Sequence, residues 1–203
     1  MITRNVKPEN EIPTFFLTEE AQKSRIKSLT NRSLSPEAEQ ALREIFELFG
    51  SIDTLTTDVF KQFYSLLDTY SADIAALSCC TAGCNACCYV PISVSLPEAM
   101  YLSEATGIEL NKKPTNKHME YHGSKCPFLK DGACSAYEAR PINCRLFFAI
   151  DHYKYCYADK EHNIMTSASQ GNLHKLILWL AKVSDGHYKS GGYDIREWFP
   201  IIP

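Results

Sequence analysis

Cysteine is missing from both ends of this 203-residue chain: all nine lie between Cys79 and Cys156. Disulfide-dense secreted scaffolds carry cysteine above roughly 8–10% in much shorter chains, and an odd count leaves one thiol unpaired. Charge of one sign is also missing. The formal net charge is −3, so no overall field draws the chain to nucleic acid or to an anionic membrane. No apolar run approaches the roughly 18 residues of a membrane span. Met1–Asn10 is polar and carries Arg4, Lys7 and Glu9, where a secretory signal would place an apolar stretch. The nine glycines form no G-x-G-x-x-G and no phosphate loop, so a nucleotide or Rossmann-type methyl-donor site has no support. The expected setting is cytoplasmic, where thiols stay reduced and clustered cysteines read first as metal ligands.

What remains is an ordinary globular composition, 45% hydrophobic and 22% charged, in a chain long enough to build a core without staples. The expected fold is α+β and mainly α, a helical body around a small irregular cysteine-rich metal core with a short hairpin. Residues 1–34 read as an N-terminal arm with a short helix near Glu19–Leu29. Residues 35–203 read as one α-rich domain containing the metal segment 79–156.

Ser35-Pro36 starts a helix, the serine capping free N–H groups and the proline filling the first turn. Leu42, Ile45, Phe46 and Phe49 follow at helical spacing up to Gly50. A second helix runs from about Thr56 to Leu77 with a stripe of Val59, Phe60, Phe63, Leu67, Tyr70, Ile74 and Leu77, which reads as core packing of a helical hairpin. Tyr89–Ser95 has a strand's composition. Ser95-Leu96-Pro97-Glu98 is a capping box opening a helix to about Thr106, stopped by Gly107. Asp131-Gly132 marks a tight hairpin between Cys126 and Cys134. One helical turn is expected in Ser135–Arg140 and a strand in Leu146–Ile150. A last helix is expected from about Thr166 to Ser184, followed by a tail whose Tyr188, Tyr193, Trp198 and Phe199 dock back on the body.

The first cysteine set is Cys79-Cys80-x3-Cys84-x2-Cys87-Cys88, and the second is Cys126-x7-Cys134-x9-Cys144-x11-Cys156. Separations of two and three residues let a chain wrap a metal centre. Adjacent pairs such as Cys87-Cys88 suit disulfides poorly, because ordinary bridges prefer Cα separations of about 4.4–6.8 Å. Cys79 reads as the spare, on the helix end before the tighter motif.

Cys80-x3-Cys84-x2-Cys87-Cys88, then Cys126-Pro127-Phe128-Leu129, Cys134-x2-Tyr137 and Arg140-Pro141-x2-Cys144-Arg145 together resemble the YkgJ-type cysteine-cluster family. That family is described as a zinc- or iron-chelating domain, and flagellin lysine methylase is similar over the same motifs. The resemblance covers about residues 79–156. It implies metal ligation by Cys80, Cys84, Cys87, Cys88, Cys126, Cys134 and Cys144. Cys156 is an eighth candidate, added from spacing and chemistry.

Zinc takes four thiolates in closed structural sites, and iron–sulfur clusters take four from tight runs with a distal partner. The spacings of three and two favour an iron–sulfur cluster, one or two in number. Tyr89, Phe128, Tyr137, Phe147 and Phe148 would shield it, and Lys125, Arg140 and Arg145 would balance its negative charge. The same spacings occur in radical S-adenosylmethionine enzymes. Those place an aromatic residue before the third cysteine, where Ala86 stands here, and need more chain than follows Cys87. His118 and His122, four apart, and Asp151-His152 read as solvated loop residues.

The leading expectation is a cytoplasmic metal-binding protein with an iron–sulfur cluster, serving a redox or protein-modification role on a protein or peptide partner. An iron–sulfur oxidoreductase or a protein-modifying enzyme would be its catalytic form. The modification role is implied only by the resemblance to flagellin lysine methylase. The alternative is a non-enzymatic zinc module in which metal folds the segment and the flanking helices mediate protein–protein interaction.

Overall fold

Helix α1, Glu19–Thr30, opens with Glu19 and Glu20 and has Lys27 in its last turn, an order of charge that suits the helix dipole. It matches the short helix expected in the arm. The computed structural model describes residues 18–30, 33–52, 54–80, 84–115, 118–150, 156, 164–166 and 192–199.

Helix α2, Pro36–Ser51, is capped by the Ser35 side chain, which accepts from the Ala38 N–H. Helix α3, Thr57–Leu77, is capped by Thr56 in the same way through Val59. The two form the expected hairpin. Ala38, Ala41 and Ile45 on α2 face Phe60, Phe63 and Leu67 on α3, all buried. Phe49 meets Phe63 edge-on with ring centroids 4.9 Å apart. Tyr64 is also buried on this face. It stacks no apolar partner alone: Phe60, Phe63 and Tyr101 all lie against its ring.

Helix α4, Leu96–Thr106, begins with the capping box read from the sequence. Ser95 Oγ accepts from the Glu98 N–H, and the Glu98 carboxylate accepts from the Ser95 N–H. Gly107 ends the helix at φ +69°, a left-handed conformation that glycine adopts without a Cβ penalty. Tyr101 of α4 stacks on Phe60 of α3 at 5.0 Å, which joins α4 to the hairpin.

Among the described residues the β content is three two-stranded antiparallel pieces. β1 (Ser93–Val94) pairs with β6 (Tyr193–Asp194). β2 (Leu129–Lys130) pairs with β3 (Ala133–Cys134) around Asp131 and Gly132, whose φ values are 49° and 80°. Both positive values are those of the turn that matches strand twist. β4 (Phe147–Ala149) pairs with β5 (Ile164–Thr166). Helix α5, Ile142–Arg145, is a single turn between the hairpin and β4.

Only Ser93–Val94 of the expected strand Tyr89–Ser95 pairs. Tyr89 instead closes a 3-10 turn that starts at Ala86, and Pro91 has no N–H to give to a ladder. The last expected helix falls almost wholly outside the described residues, as does Tyr188, and Thr166 itself lies in β5. Trp198 and Phe199 dock as expected: both are buried, and Trp198 Nε1–H donates to the Val94 carbonyl at 2.9 Å. Phe199 meets Phe128 at 5.0 Å. No helix among the described residues is long and apolar enough to cross a membrane.

Candidate metal centre

The cysteines are carried by segments with little regular structure, held together by backbone hydrogen bonds. Helix α3 stops at Ser78, whose N–H and Oγ both turn back to the Ala75 carbonyl. Cys79 N–H then donates to the Ala149 carbonyl at 2.9 Å, and Ala149 N–H points to the Cys80 sulfur at 3.5 Å. The chain leaving α3 is thereby clasped to the end of β4.

Cys87 and Cys88 sit in the 3-10 turn Ala86–Tyr89. A second segment runs against that turn: Gly123 N–H donates to the Tyr89 carbonyl at 2.7 Å, and Cys126 N–H to the Cys88 carbonyl at 2.8 Å. The Asp-Gly hairpin sets Cys134 opposite Leu129. Asn85 Nδ2 reaches the Gly132 carbonyl at 3.3 Å and ties the hairpin tip to the first cysteine loop. Cys144 lies on α5, whose N-terminal Ile142 N–H donates to the buried Glu98 carboxylate at 2.8 Å.

These segments line one half-open cavity of about 800 Å³, whose walls include Cys80, Cys84, Cys87, Cys88, Cys126, Cys134 and Cys144. All seven cysteines of the sequence motif are therefore brought together. Phe128, Phe147 and Phe148 supply apolar wall, and Arg140, Arg145 and Arg196 bring three guanidinium groups to it. All nine cysteines are in the thiol form, outside any disulfide. Among the described residues, no three His, Cys, Asp or Glu side chains already surround a common ion-sized point. The thiols share a chamber without being drawn to one centre.

Burial dominates the thiol electrostatics. It pushes Cys126 up to about 11, countered in part by a Phe128 N–H and by Arg196. It also raises Cys134 and holds Cys144 well above the usual thiol range. Cys88 is raised because its S–H is held by Cys87. Cys87 is lowered, first by that bond from Cys88 and also by the nearby Arg140 charge. Thiol-to-thiol contact thus makes Cys87 the readiest thiolate of the pair, as a metal ligand must be deprotonated.

Two buried polar atoms in this region have no hydrogen-bond partner, Asn85 Oδ1 and Arg140 Nε. Arg140 lines the cavity with its guanidinium 3.7 Å above the Tyr137 ring. A buried donor left unsatisfied costs about 1–3 kcal/mol, and an anionic thiolate-bound centre is the kind of neighbour that would relieve it. The soft donor set and the three guanidinium groups beside it together fit zinc or an iron–sulfur cluster.

The remaining sequence candidates are placed as follows. Cys156 is not among the residues lining the cavity; its sulfur accepts a hydrogen bond from Cys79, which also bonds Cys80. Cys79 is therefore engaged with other thiols. Phe128, Tyr137, Phe147, Phe148, Arg140 and Arg145 line the chamber, whereas Tyr89 and Lys125 do not. His122 is exposed and away from it. Asp151 and His152 lie outside the described residues. Sequence reasoning missed Ile195 and Arg196, which come from the C-terminal segment. The only available signal was the aromatic tail around them, which announced docking without saying where.

A thiol-lined chamber of this kind carries the donors that a metal-chelating domain uses. Residues 79–168 match the family model named CxxCxxCC, described as a "putative zinc- or iron-chelating domain", the family that the cysteine motifs resemble. Neither the curated proteins nor the solved structures gave a match to the chain.

Proposed function

We propose that the chamber holds an iron–sulfur cluster and that the protein is a cytoplasmic redox or protein-modification factor acting with a protein or peptide partner. The observation that supports this reading is the convergence of seven thiols from three chain segments on one cavity of about 800 Å³. A single zinc ion draws four sulfurs to about 2.3 Å from itself. That needs fewer than seven thiols, whereas two iron–sulfur clusters would draw on up to about eight. The donors we assign are Cys80, Cys84, Cys87, Cys88, Cys126, Cys134 and Cys144, while Cys156, the eighth candidate of the sequence, bonds Cys79 off the cavity lining and is left out of the set. A bound cluster would supply one-electron chemistry at a potential set by its surroundings.

The chain's own residues would set those surroundings. Phe128, Phe147 and Phe148 supply apolar wall, and Arg140 and Arg196 favour the thiolate form of Cys87, Cys134 and Cys126. The protein-modification role draws on the similarity to flagellin lysine methylase alone.

A structural zinc site is the second reading, favoured by one observation. Between Asn85 and Arg145, α4 apart, the described residues hold only two-residue strands and short helical turns, the sort of segment that metal bonds can hold folded. Anaerobic purification followed by iron, sulfide and zinc analysis, with paramagnetic resonance of the reduced protein, separates the two. Brown protein with matching iron and sulfide supports the cluster. Colourless protein with stoichiometric zinc overturns it in favour of the zinc module.

A further inference from the structure

The C-terminal segment enters the metal region from outside the family-matched residues 79–168. β6 pairs with β1, the Ile195 N–H donates to the Ile92 carbonyl at 3.0 Å, and Asp194 Oδ2 accepts from the Ile92 N–H at 2.8 Å. These bonds carry the Arg196 side chain into the protein, where it is only 4% exposed and lies 2.9 Å from Asp194 Oδ1.

The rest of the guanidinium is spent on the backbone of the two cysteine segments. Nη2 donates to the carbonyls of Cys88 at 3.1 Å, Val90 at 3.2 Å and Ser124 at 2.7 Å, and Nε donates again to Ser124 at 3.2 Å. The Cys88 carbonyl also accepts the Cys126 N–H at 2.8 Å. One oxygen therefore joins Cys88, Cys126 and Arg196. Since Cys88 and Cys126 both line the thiol chamber, the relative position of their sulfurs depends on this junction.

We infer that Arg196 is a positioning residue of the metal centre: its planar fork locks the Cys88 turn to the Ser124–Cys126 segment and places a buried positive charge beside the thiols. This rests on the reading of the chamber as a metal site. Removing a group that orients metal ligands weakens metal affinity by about 10–100-fold. Lysine keeps the charge but cannot span several carbonyls at once, because it is a point donor on a flexible stem.

The test is competitive titration of the full-length, metal-stripped protein with Co²⁺, read by thiolate-to-cobalt charge-transfer absorbance. Arg196→Gln should bind Co²⁺ about 10–100-fold more weakly, with a changed thiolate band, and Arg196→Lys should fall between it and wild type. Trp198→Phe is the control, because it loosens the same segment by deleting the Nε1 bond to Val94 without touching either cysteine segment. It should lower the melting temperature and leave Co²⁺ affinity unchanged. Wild-type affinity and spectrum in both arginine variants overturn the inference, as does a loss in Trp198→Phe equal to theirs. If Arg196→Gln does not fold, the lysine variant decides between the same outcomes. Wild-type protein that takes up no Co²⁺ at all overturns the metal reading, and this inference falls with it.

Discussion

Arg145 Nη1 lies 2.5 Å from Asp68 Oδ2, in an ion pair whose arginine is 2% exposed and whose aspartate is 47% exposed. The pair links α5, which carries Cys144, to α3, which carries no cysteine. Arg145 does more than neutralise a charge. Its Nε donates to the Arg140 carbonyl at 2.9 Å, Nη2 donates to the Glu138 carbonyl, and its face lies 4.3 Å from the Tyr64 ring. The helical hairpin is thereby bolted to the chain next to a chamber thiol.

Arg145→Ala removes donors from two carbonyls, leaves Asp68 without its closest cation and opens space beside Tyr64. Its cost should be about 2–4 kcal/mol, in the range for breaking a buried hydrogen-bonded charge. Asp68→Asn should cost less, because the half-exposed amide still accepts a hydrogen bond. Urea unfolding of the three proteins measures both. An Arg145→Ala loss within about 0.5 kcal/mol of wild type, the range of ordinary surface substitutions, would show that the pair holds nothing in place.

The cavity divides the nine cysteines, and metal content should divide the same way. Cys84→Ser and Cys87→Ser should each lose most of the bound metal, because both thiols line the chamber. Cys79→Ser and Cys156→Ser should keep the wild-type metal-to-protein ratio, since their mutual contact lies off the lining. Elemental analysis of the purified variants gives the result directly. Full metal in Cys84→Ser, or an empty site in Cys156→Ser, would redraw the donor set.

Much of the body was legible because its signals are local. Ser35-Pro36, the Ser95–Glu98 box, Gly107 and Asp131-Gly132 each fix a boundary through chemistry within four residues of themselves. The seven motif cysteines were legible for a similar reason, as spacing plus thiol chemistry restricts what they can do. The strand expected over Tyr89–Ser95 failed where a local preference met a tertiary demand. The β-branched residues there are outweighed by the 3-10 turn that directs Cys87 and Cys88. Arg196 was illegible because its partner Cys88 lies 108 residues away and nothing in a lone arginine announces such a contact. Tyr64 lay off the apolar stripe for a related reason: its hydroxyl is accommodated by Glu98 on another helix, 3.4 Å away.

Glu98 is a buried carboxyl at the centre of the capping box, and burial raises it above its ordinary value of 4.5 despite bonds from Ser95, Ile142 and Tyr64. The folded state therefore holds the proton more tightly than the unfolded chain. This contribution to stability is fully present below the unfolded value and is lost as pH rises through the raised folded value. Glu98→Gln cannot titrate, although its single acceptor oxygen loses one of the box's bonds. The melting temperature of the glutamine variant minus that of wild type should thus increase as pH is raised from about 4 to 8. Thermal unfolding across that interval checks the slope, and a constant or falling difference would refute it.

Metal binding should release protons and strengthen with pH. Burial raises Cys126 to about 11 and lifts Cys134 and Cys144 as well, so these donors are thiols at neutral pH and must give up protons to bind. The sign follows from competition: each proton displaced makes apparent affinity rise about tenfold per pH unit while the thiol remains protonated. Zn²⁺ titrated into metal-stripped protein in weak buffer with an indicator dye should release about two or more protons per ion. Affinity from chelator competition should rise from pH 6.5 to pH 8, an interval of about 1.5 units. Arg196→Gln removes a charge that favours the Cys126 thiolate, so its curve should be displaced to higher pH. Proton-independent binding would mean that the ion is held by groups other than the chamber thiols.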